Sequence, residues 1–256
     1  MLEKEIKLEE GKKIYFASDF HLGTPDEQSS FEREKKIIRW LDEIKNDAQV
    51  IVLLGDIFDF WFEYKYVIPK GFVRFIGKLA ELSDAGIELI FFTGNHDMWM
   101  FDYFPTQFNV QIYRQALTLV VNHKKLFLHH GDGLGPYDKK YKFLKLFFNS
   151  KICQWMFAKL HPWIGFGIAT NWSRSSRAAN HENDEKFLGK DEWLWQYVQN
   201  LHLSQPHDYY IMGHRHLFMD LPVGESGRYV NLGEWIKNSN FVIFDSTGLH
   251  CKIFET

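Results

Sequence analysis

Short apolar runs and amphipathic stretches alternate along the first half of the chain. Lys13 to Ser18 (KIYFAS), Val50 to Leu54 (VIVLL) and Ile87 to Phe92 (IELIFF) are rich in β-branched and aromatic residues, and their length and continuity predict buried strands. Between the first two, Ile37, Leu41 and Ile44 recur at helical spacing. Between the second and third, Phe72, Phe75, Ile76, Leu79 and Leu82 do the same after Pro69, with Gly86 placed to stop the helix. Helices joining successive buried strands imply parallel pairing through right-handed crossovers. The second half reads differently. Ala116 to Val121, Lys125 to His129, Asp208 to Met212, Tyr229 to Leu232, Phe241 to Asp245 and Leu249 to Phe254 form strand-like runs, several of them closely spaced, and this predicts a second, more antiparallel sheet. The simplest architecture is an α/β fold: two sheets stacked face to face with helices outside.

The length of 256 residues is enough for a large core, and the expectation is one domain over 1–256 with an insertion at 137–190. A formal net charge of -3 gives no whole-protein attraction to nucleic acid. Cys153 and Cys251 form no Cys-x-x-Cys pair, which argues against a disulfide scaffold or a thiolate zinc site and favours a reducing cytoplasm. Met1 to Lys13 mixes Glu and Lys with no apolar stretch behind a basic start, so no signal peptide is expected. No apolar run approaches the ~20 residues of a spanning helix.

Chemistry concentrates where the strand-like runs end. KIYFAS is followed by Asp19-Phe20-His21; in an extended segment residues two apart share a side, so carboxylate and imidazole can converge on one ion. VIVLL is followed by Gly55-Asp56-Ile57-Phe58-Asp59, and IELIFF by Thr93-Gly94-Asn95-His96-Asp97. LFLHH leads into Gly131-Asp132, and YYIM into Gly213-His214-Arg215-His216. A single Asp after a strand is usually a turn or cap residue. Five strand ends that all carry metal-competent oxygen or imidazole groups are not explained that way. The set suits two divalent cations sharing a bridging carboxylate, and without thiolate it favours manganese, iron or zinc over calcium. His123, His161, His202, His207 and His250 lack this setting and are expected at the surface or in local hydrogen bonds.

At these residues the chain resembles the calcineurin-like metallophosphoesterase superfamily, whose blocks D-x-H, G-D-x-x-D, G-N-H-D/E, x-H-G-D and G-H-x-H occur here in order. The resemblance implies a four-layer α-β-β-α sandwich of two mixed sheets. It assigns Asp19, His21 and His216 to one metal, Asn95, His130 and His214 to the other, and Asp56 to the bridge. It selects His130 over His129 as the ligand. Asp59, Asp97 and Asp132 become carboxylates that orient imidazoles or neighbouring loops. A cation pair of this kind supports phosphoester or phosphoanhydride hydrolysis by water. No Gly-x-Ser-x-Gly or P-loop pattern offers a protein nucleophile or another phosphate cradle. In the superfamily the His of the third block acts on the leaving oxygen, which gives His96, with Asp56 and Asn95, a catalytic role.

The insertion is too long for a simple connection. It interleaves Phe143, Leu144, Phe147, Trp155, Phe157 and Trp163 with Lys139, Lys145, Lys151 and Lys159, a composition suited to a helical lid that takes acyl chains inside and meets an anionic bilayer outside. With its Tyr141-Lys-Phe-Leu start and its Asn171-to-Asn180 end it resembles the lid of the UDP-2,3-diacylglucosamine hydrolase family of lipid A synthesis. That resemblance implies a manganese-dependent pyrophosphohydrolase, peripheral on the inner face of the cytoplasmic membrane, with an acylated nucleotide-sugar substrate. It makes Ser173, Arg174, Arg177 and Asn180, beside Asn95, His96 and His214, candidates for substrate contact; a guanidinium fork suits phosphate. One departure is visible: that family commonly has Arg where this chain has His96. Two alternatives stay open, a metallophosphoesterase for another lipid-linked or nucleotide diester and a non-catalytic scaffold.

Overall fold

The computed structural model describes the backbone of residues 1–135, 139–184 and 186–255, with side chains except those of 139–141 and 174–184. The chain opens with strand β1 (Leu2–Ile6), then runs β2 (Lys13–Ala17), α1 (Glu27–Ile44), β3 (Ala48–Leu53), α2 (Val73–Asp84), β4 (Glu88–Phe92), α3 (Tyr103–Phe108) and β5 (Gln111–Tyr113). There follow β6 (Leu117–Val121), β7 (Lys124–His129), the insertion helices α4 (Lys139–Asn149), α5 (Lys151–Phe157) and α6 (Pro162–Asp184), and α7 (Trp193–Ser204). The chain ends with β8 (Tyr209–Met212), β9 (Phe218–Val223), β10 (Gly227–Leu232), β11 (Asn240–Asp245) and β12 (Gly248–Ile253).

Two six-stranded sheets result, ordered β12-β11-β2-β3-β4-β5 and β1-β6-β7-β8-β10-β9. The strand pattern predicts two stacked sheets though not these memberships, and the alternation of side chains explains the layers. In β2, Ile14 and Phe16 point into the space between the sheets, where they meet Leu119, Leu128, Ile211 and Val230 of the other sheet. Tyr15 and Ala17 point the opposite way, onto Ile37, Trp40 and Leu41 of α1 and Phe75 and Leu79 of α2. On the far side Phe127, Tyr210 and Tyr229 pack against Leu194 and Val198 of α7. The order is helix, sheet, sheet, helix. Asp26 caps α1 by accepting from the Ser29 backbone N–H at 2.8 Å.

The second sheet departs from expectation in two ways. It is less antiparallel than close strand spacing suggests: β1 runs parallel to β6, β7 to β8, and β8 to β10. The runs Phe241 to Asp245 and Leu249 to Phe254, expected in that sheet, instead join the first, with β11 antiparallel to β2. Their apolar faces decide this, because Val242 and Phe244 fill the inter-sheet core from the β2 side. β1 lies inside the charged segment that carries no strand signal, since an edge strand with Glu3 and Glu5 on one face and Lys4 between Leu2 and Ile6 on the other offers little apolar pattern.

Candidate metal centre

β2, β3 and β4 are parallel neighbours, so their carboxyl ends open on one side of the first sheet, and β7 and β8 do the same in the second. All five metal-competent blocks therefore meet at one rim. The loops are stitched there by their backbones: Asp19 N–H donates to Gly55 O at 3.0 Å, His21 N–H to Asp56 O at 2.9 Å, and Gly213 N–H to His130 O at 2.8 Å.

Three overlapping clusters form among the described residues, one of them His21, Asp59 and His96. Asp19, His21, Asp56 and His216 offer ligand atoms within 4.8 Å of one another, and so do Asp56, His130 and His214. Asp56 is the member these last two share. Its Oδ2 lies 3.8 Å from His21 Nε2 and 3.3 Å from His130 Nε2. Asn95 Oδ1 sits 3.3 Å from His130 Nε2 and 2.8 Å from His214 Nδ1, which adds an amide oxygen to the second cluster. His216 Nε2 is 3.3 Å from Asp19 Oδ1 and 3.0 Å from His21 Nε2. All seven expected ligands thus stand at one place, in two groups joined by one carboxylate.

The donor set fits two divalent cations. Asp56 Oδ2 is fully buried yet has no hydrogen-bond donor, a costly arrangement for a carboxylate oxygen unless a cation answers it. Close packing of glycine backbone makes the room. A Cβ on Gly213 would overlap Asp19 Oδ2, and one on Gly94 would overlap Asp56 Oδ1. The local backbone is not extended, contrary to the expectation for Asp19 and His21. Asp19, His21, Asp56, His214 and His216 all have positive φ, at 55°, 45°, 50°, 70° and 50°. Ligand convergence comes from left-handed turns beyond the strand ends, a strained conformation characteristic of functional loops.

Electrostatics follow from burying carboxylates beside imidazoles. Burial alone would raise Asp19, but contacts with His21 and His216 hold it below the usual carboxylate range. Burial would likewise raise Asp56, and the charge of His130 reverses this. Burial works against protonation of His21 and His130, yet the neighbouring carboxylates push both up to about 10. His214 is driven down to about 3, by burial and then by the charge of His130. Asp97, buried and beside Asp56, is raised to about 7. A cation entering the cluster would displace protons from His21 and His130.

The supporting carboxylates divide their work. Asp97 accepts from the backbone N–H groups of Gly94 at 2.8 Å and Ile57 at 2.7 Å, fixing two loops. Asp59 Oδ1 stands 3.6 Å from His21 Nδ1. Asp132 pairs with Lys145 of α4 at 2.6 Å. His129 points away from the ligands and accepts from Gly131 N–H at 2.8 Å. His96 donates its backbone N–H to Asp56 Oδ1 at 2.8 Å, and its ring Nδ1 lies 3.3 Å from Ser173 Oγ. Ser173 in turn donates to Asp59 Oδ2 at 3.0 Å, so this insertion residue reaches the centre. The side chains of Arg174, Arg177 and Asn180 lie outside the described residues.

The sequence reading missed several supports. Arg33, buried on α1, donates to the backbone carbonyl of His21 at 2.7 Å. A signal was present, because Arg33 falls four residues before Ile37 on the apolar face. Asn231 on β10 donates to Gly213 O at 2.6 Å, and Glu192 pairs with Arg215 at 3.0 Å inside the protein.

The sequence profile of calcineurin-like phosphoesterases matches residues 12–218, most of the chain and all five blocks. The chain belongs to the calcineurin-like phosphoesterase family. Within that family's range, a UDP-2,3-diacylglucosamine hydrolase of Porphyromonas gingivalis is 34% identical over 256 residues, covering 95% of this chain and 98% of the relative. Proteins of the same name from Shewanella halifaxensis and Edwardsiella ictaluri are 22% and 23% identical, covering 90% and 92% of this chain and 93% and 89% of theirs. Among solved structures, a protein of Thermus thermophilus aligns with a TM-score of 0.47 at 10% identity over 95% of this chain and 99% of its own.

Proposed function

We propose that the protein is a dimetal pyrophosphohydrolase that cleaves UDP-2,3-diacylglucosamine to UMP and 2,3-diacylglucosamine 1-phosphate. The observation that carries this is the near full-length similarity to the P. gingivalis hydrolase, combined with two buried clusters that share Asp56. Asp19, His21 and His216 would hold one cation, Asn95, His130 and His214 the other, and Asp56 both; manganese fits the oxygen and nitrogen donors, with iron(II) or zinc as competitors. When bound, such a pair supplies positive charge to phosphoryl oxygens and lowers the pKa of water toward about 7.

The remaining work falls to this chain's side chains. His96 stands at the edge of the cluster, its ring T-shaped against His21 at 5.0 Å between centroids. Its Nδ1 is held by Asp59 O at 3.1 Å and Ser173 Oγ at 3.3 Å, and the oriented ring is assigned to hand a proton to the departing oxygen. Asn95 and His214 sit on the same rim for contact with the pyrophosphate. Ser173, Arg174, Arg177 and Asn180 fall within the span of α6 and are the candidates for contact with the nucleotide and sugar.

Residues 137–190 act as the lid of a single domain spanning 1–256. Their apolar surface supports a lipid substrate. Among the described residues of α4, α5 and α6 only Gly165 and Ser173 are buried, so those described residues enclose no core of their own. Phe143, Leu146, Ile152 and Trp163 are each more than 70% exposed, beside Lys151 and Lys159. Apolar rings flanked by lysines suit acyl chains and an anionic membrane surface, and no described helix is long and apolar enough to cross a membrane. The protein would thus work from the cytoplasm, bound peripherally at the inner face.

Incubation with the acylated UDP-sugar is expected to release UMP in a manganese-dependent way. Metal-loaded protein that splits a nitrophenyl phosphodiester but not this substrate would overturn the substrate assignment. His96→Ala is predicted to keep both cations while turnover falls about 100-fold or more; loss of metal in that variant would refute the role given to His96.

A further inference from the structure

The loop that carries His214 and His216 has a charged residue between its two ligands, and that residue is turned inward. Arg215 is 4% exposed. Its guanidinium meets the carboxylate of Glu192 with both arms, Nη2 to Oε1 at 3.0 Å and Nε to Oε2 at 3.2 Å. Glu192 is completely buried at the start of α7. The same pair reaches the segment by which the insertion rejoins the sheet. Arg215 Nη2 also donates to the Lys186 carbonyl, and Leu188 N–H donates to Glu192 Oε1 at 2.9 Å. Two stretches of chain therefore meet on one carboxylate–guanidinium fork: the ligand loop, and residues 186–192, through the Lys186 carbonyl, the Leu188 amide and Glu192 itself.

A buried ion pair adds little net stability over an apolar pair of similar volume, because desolvation offsets the attraction. What it imposes is direction: a bidentate fork fixes the plane and position of both partners. Here the fixed partner sits between two residues held in left-handed conformation, with φ of 70° at His214 and 50° at His216. We propose that Glu192 is a positioning residue: through Arg215 it locks the turn that aims His214 and His216 and joins that turn to the exit of the insertion, so that seating the insertion and forming the metal centre are one event. This rests on the dimetal reading but not on the identity of the substrate.

The test uses the full chain and manganese alone. Isothermal titration of Glu192→Gln and of the double variant Glu192→Met/Arg215→Met against wild type reads cation affinity, and hydrogen exchange reads the two segments. Both variants are expected to bind the weaker manganese about tenfold or more less tightly. In Glu192→Gln, amides of 186–192 and 213–217 are expected to gain exchange together. The double variant replaces the buried pair with apolar side chains and is expected to melt near the wild-type temperature, which separates loss of aim from loss of fold. Wild-type affinity in the double variant, or faster exchange in only one of the two segments, overturns the proposal. Wild type that binds no manganese would sink the dimetal reading and the proposal together. Wild type that binds two cations yet releases no UMP from the acylated nucleotide would sink only the substrate.

Discussion

At the scale of single residues, the centre depends on what is missing as much as on what is present. Gly213 has no Cβ where one would overlap Asp19 Oδ2, so Gly213→Ala is predicted to push that carboxylate aside and weaken manganese binding about tenfold or more. Titration calorimetry checks this; unchanged affinity would mean the loop yields freely. Ligand types and their order were legible in the sequence because each block sits at a strand end. Their geometry was not, because the left-handed turns at Asp19, His21, Asp56, His214 and His216 depend on contacts between loops far apart in sequence. Away from the centre, His207 is buried, with its ring against Thr118 Oγ1 at 2.9 Å. Burial, with a smaller contribution from Lys125, holds it below its ordinary 6.5. The unfolded chain then binds the proton more readily, so stability falls as pH drops below about 6.5 and recovers above it. In urea titrations between pH 7.5 and 5.5, His207→Gln is predicted to show a flatter pH dependence than wild type; an identical slope would refute the assignment.

At the scale of elements, strand alternation does most of the specifying. Odd and even residues of β2, β3 and β4 go to different cores, and the inter-sheet layer is apolar from both sides. Leu128 is fully buried in that layer, two residues before His130. Leu128→Ala is predicted to cost about 2–5 kcal/mol, measurable by equilibrium denaturation; a cost within about 0.5 kcal/mol, usual for surface positions, would contradict the placement. The helices of the first half and the strands that carry ligands could be read from periodicity. The sheet membership of β11 and β12 could not, since close spacing along the chain fixes only that they pair with each other, whereas β2 supplies the other neighbour of β11 across more than half the chain. β1 escaped for a related reason: its partner β6 is remote and its pattern is dominated by charge.

At the scale of the whole molecule, two sheets present their strand ends to one rim and the insertion leans over it. Trp99 Nε1 donates to Phe148 O at 2.9 Å, Phe62 and Trp99 pack on Phe157, and Ser173 reaches Asp59. The proposed substrate would enter between the rim and the insertion, where charge-binding and apolar surfaces are adjacent. Every proposed role presupposes a pair of cations bridged by Asp56. Anomalous diffraction from crystals soaked in manganese tests it most directly. Two peaks about 3.5–4 Å apart are predicted, one among Asp19, His21 and His216 and one among Asn95, His130 and His214, both against Asp56. A single peak, or peaks that do not share Asp56, would contradict the account.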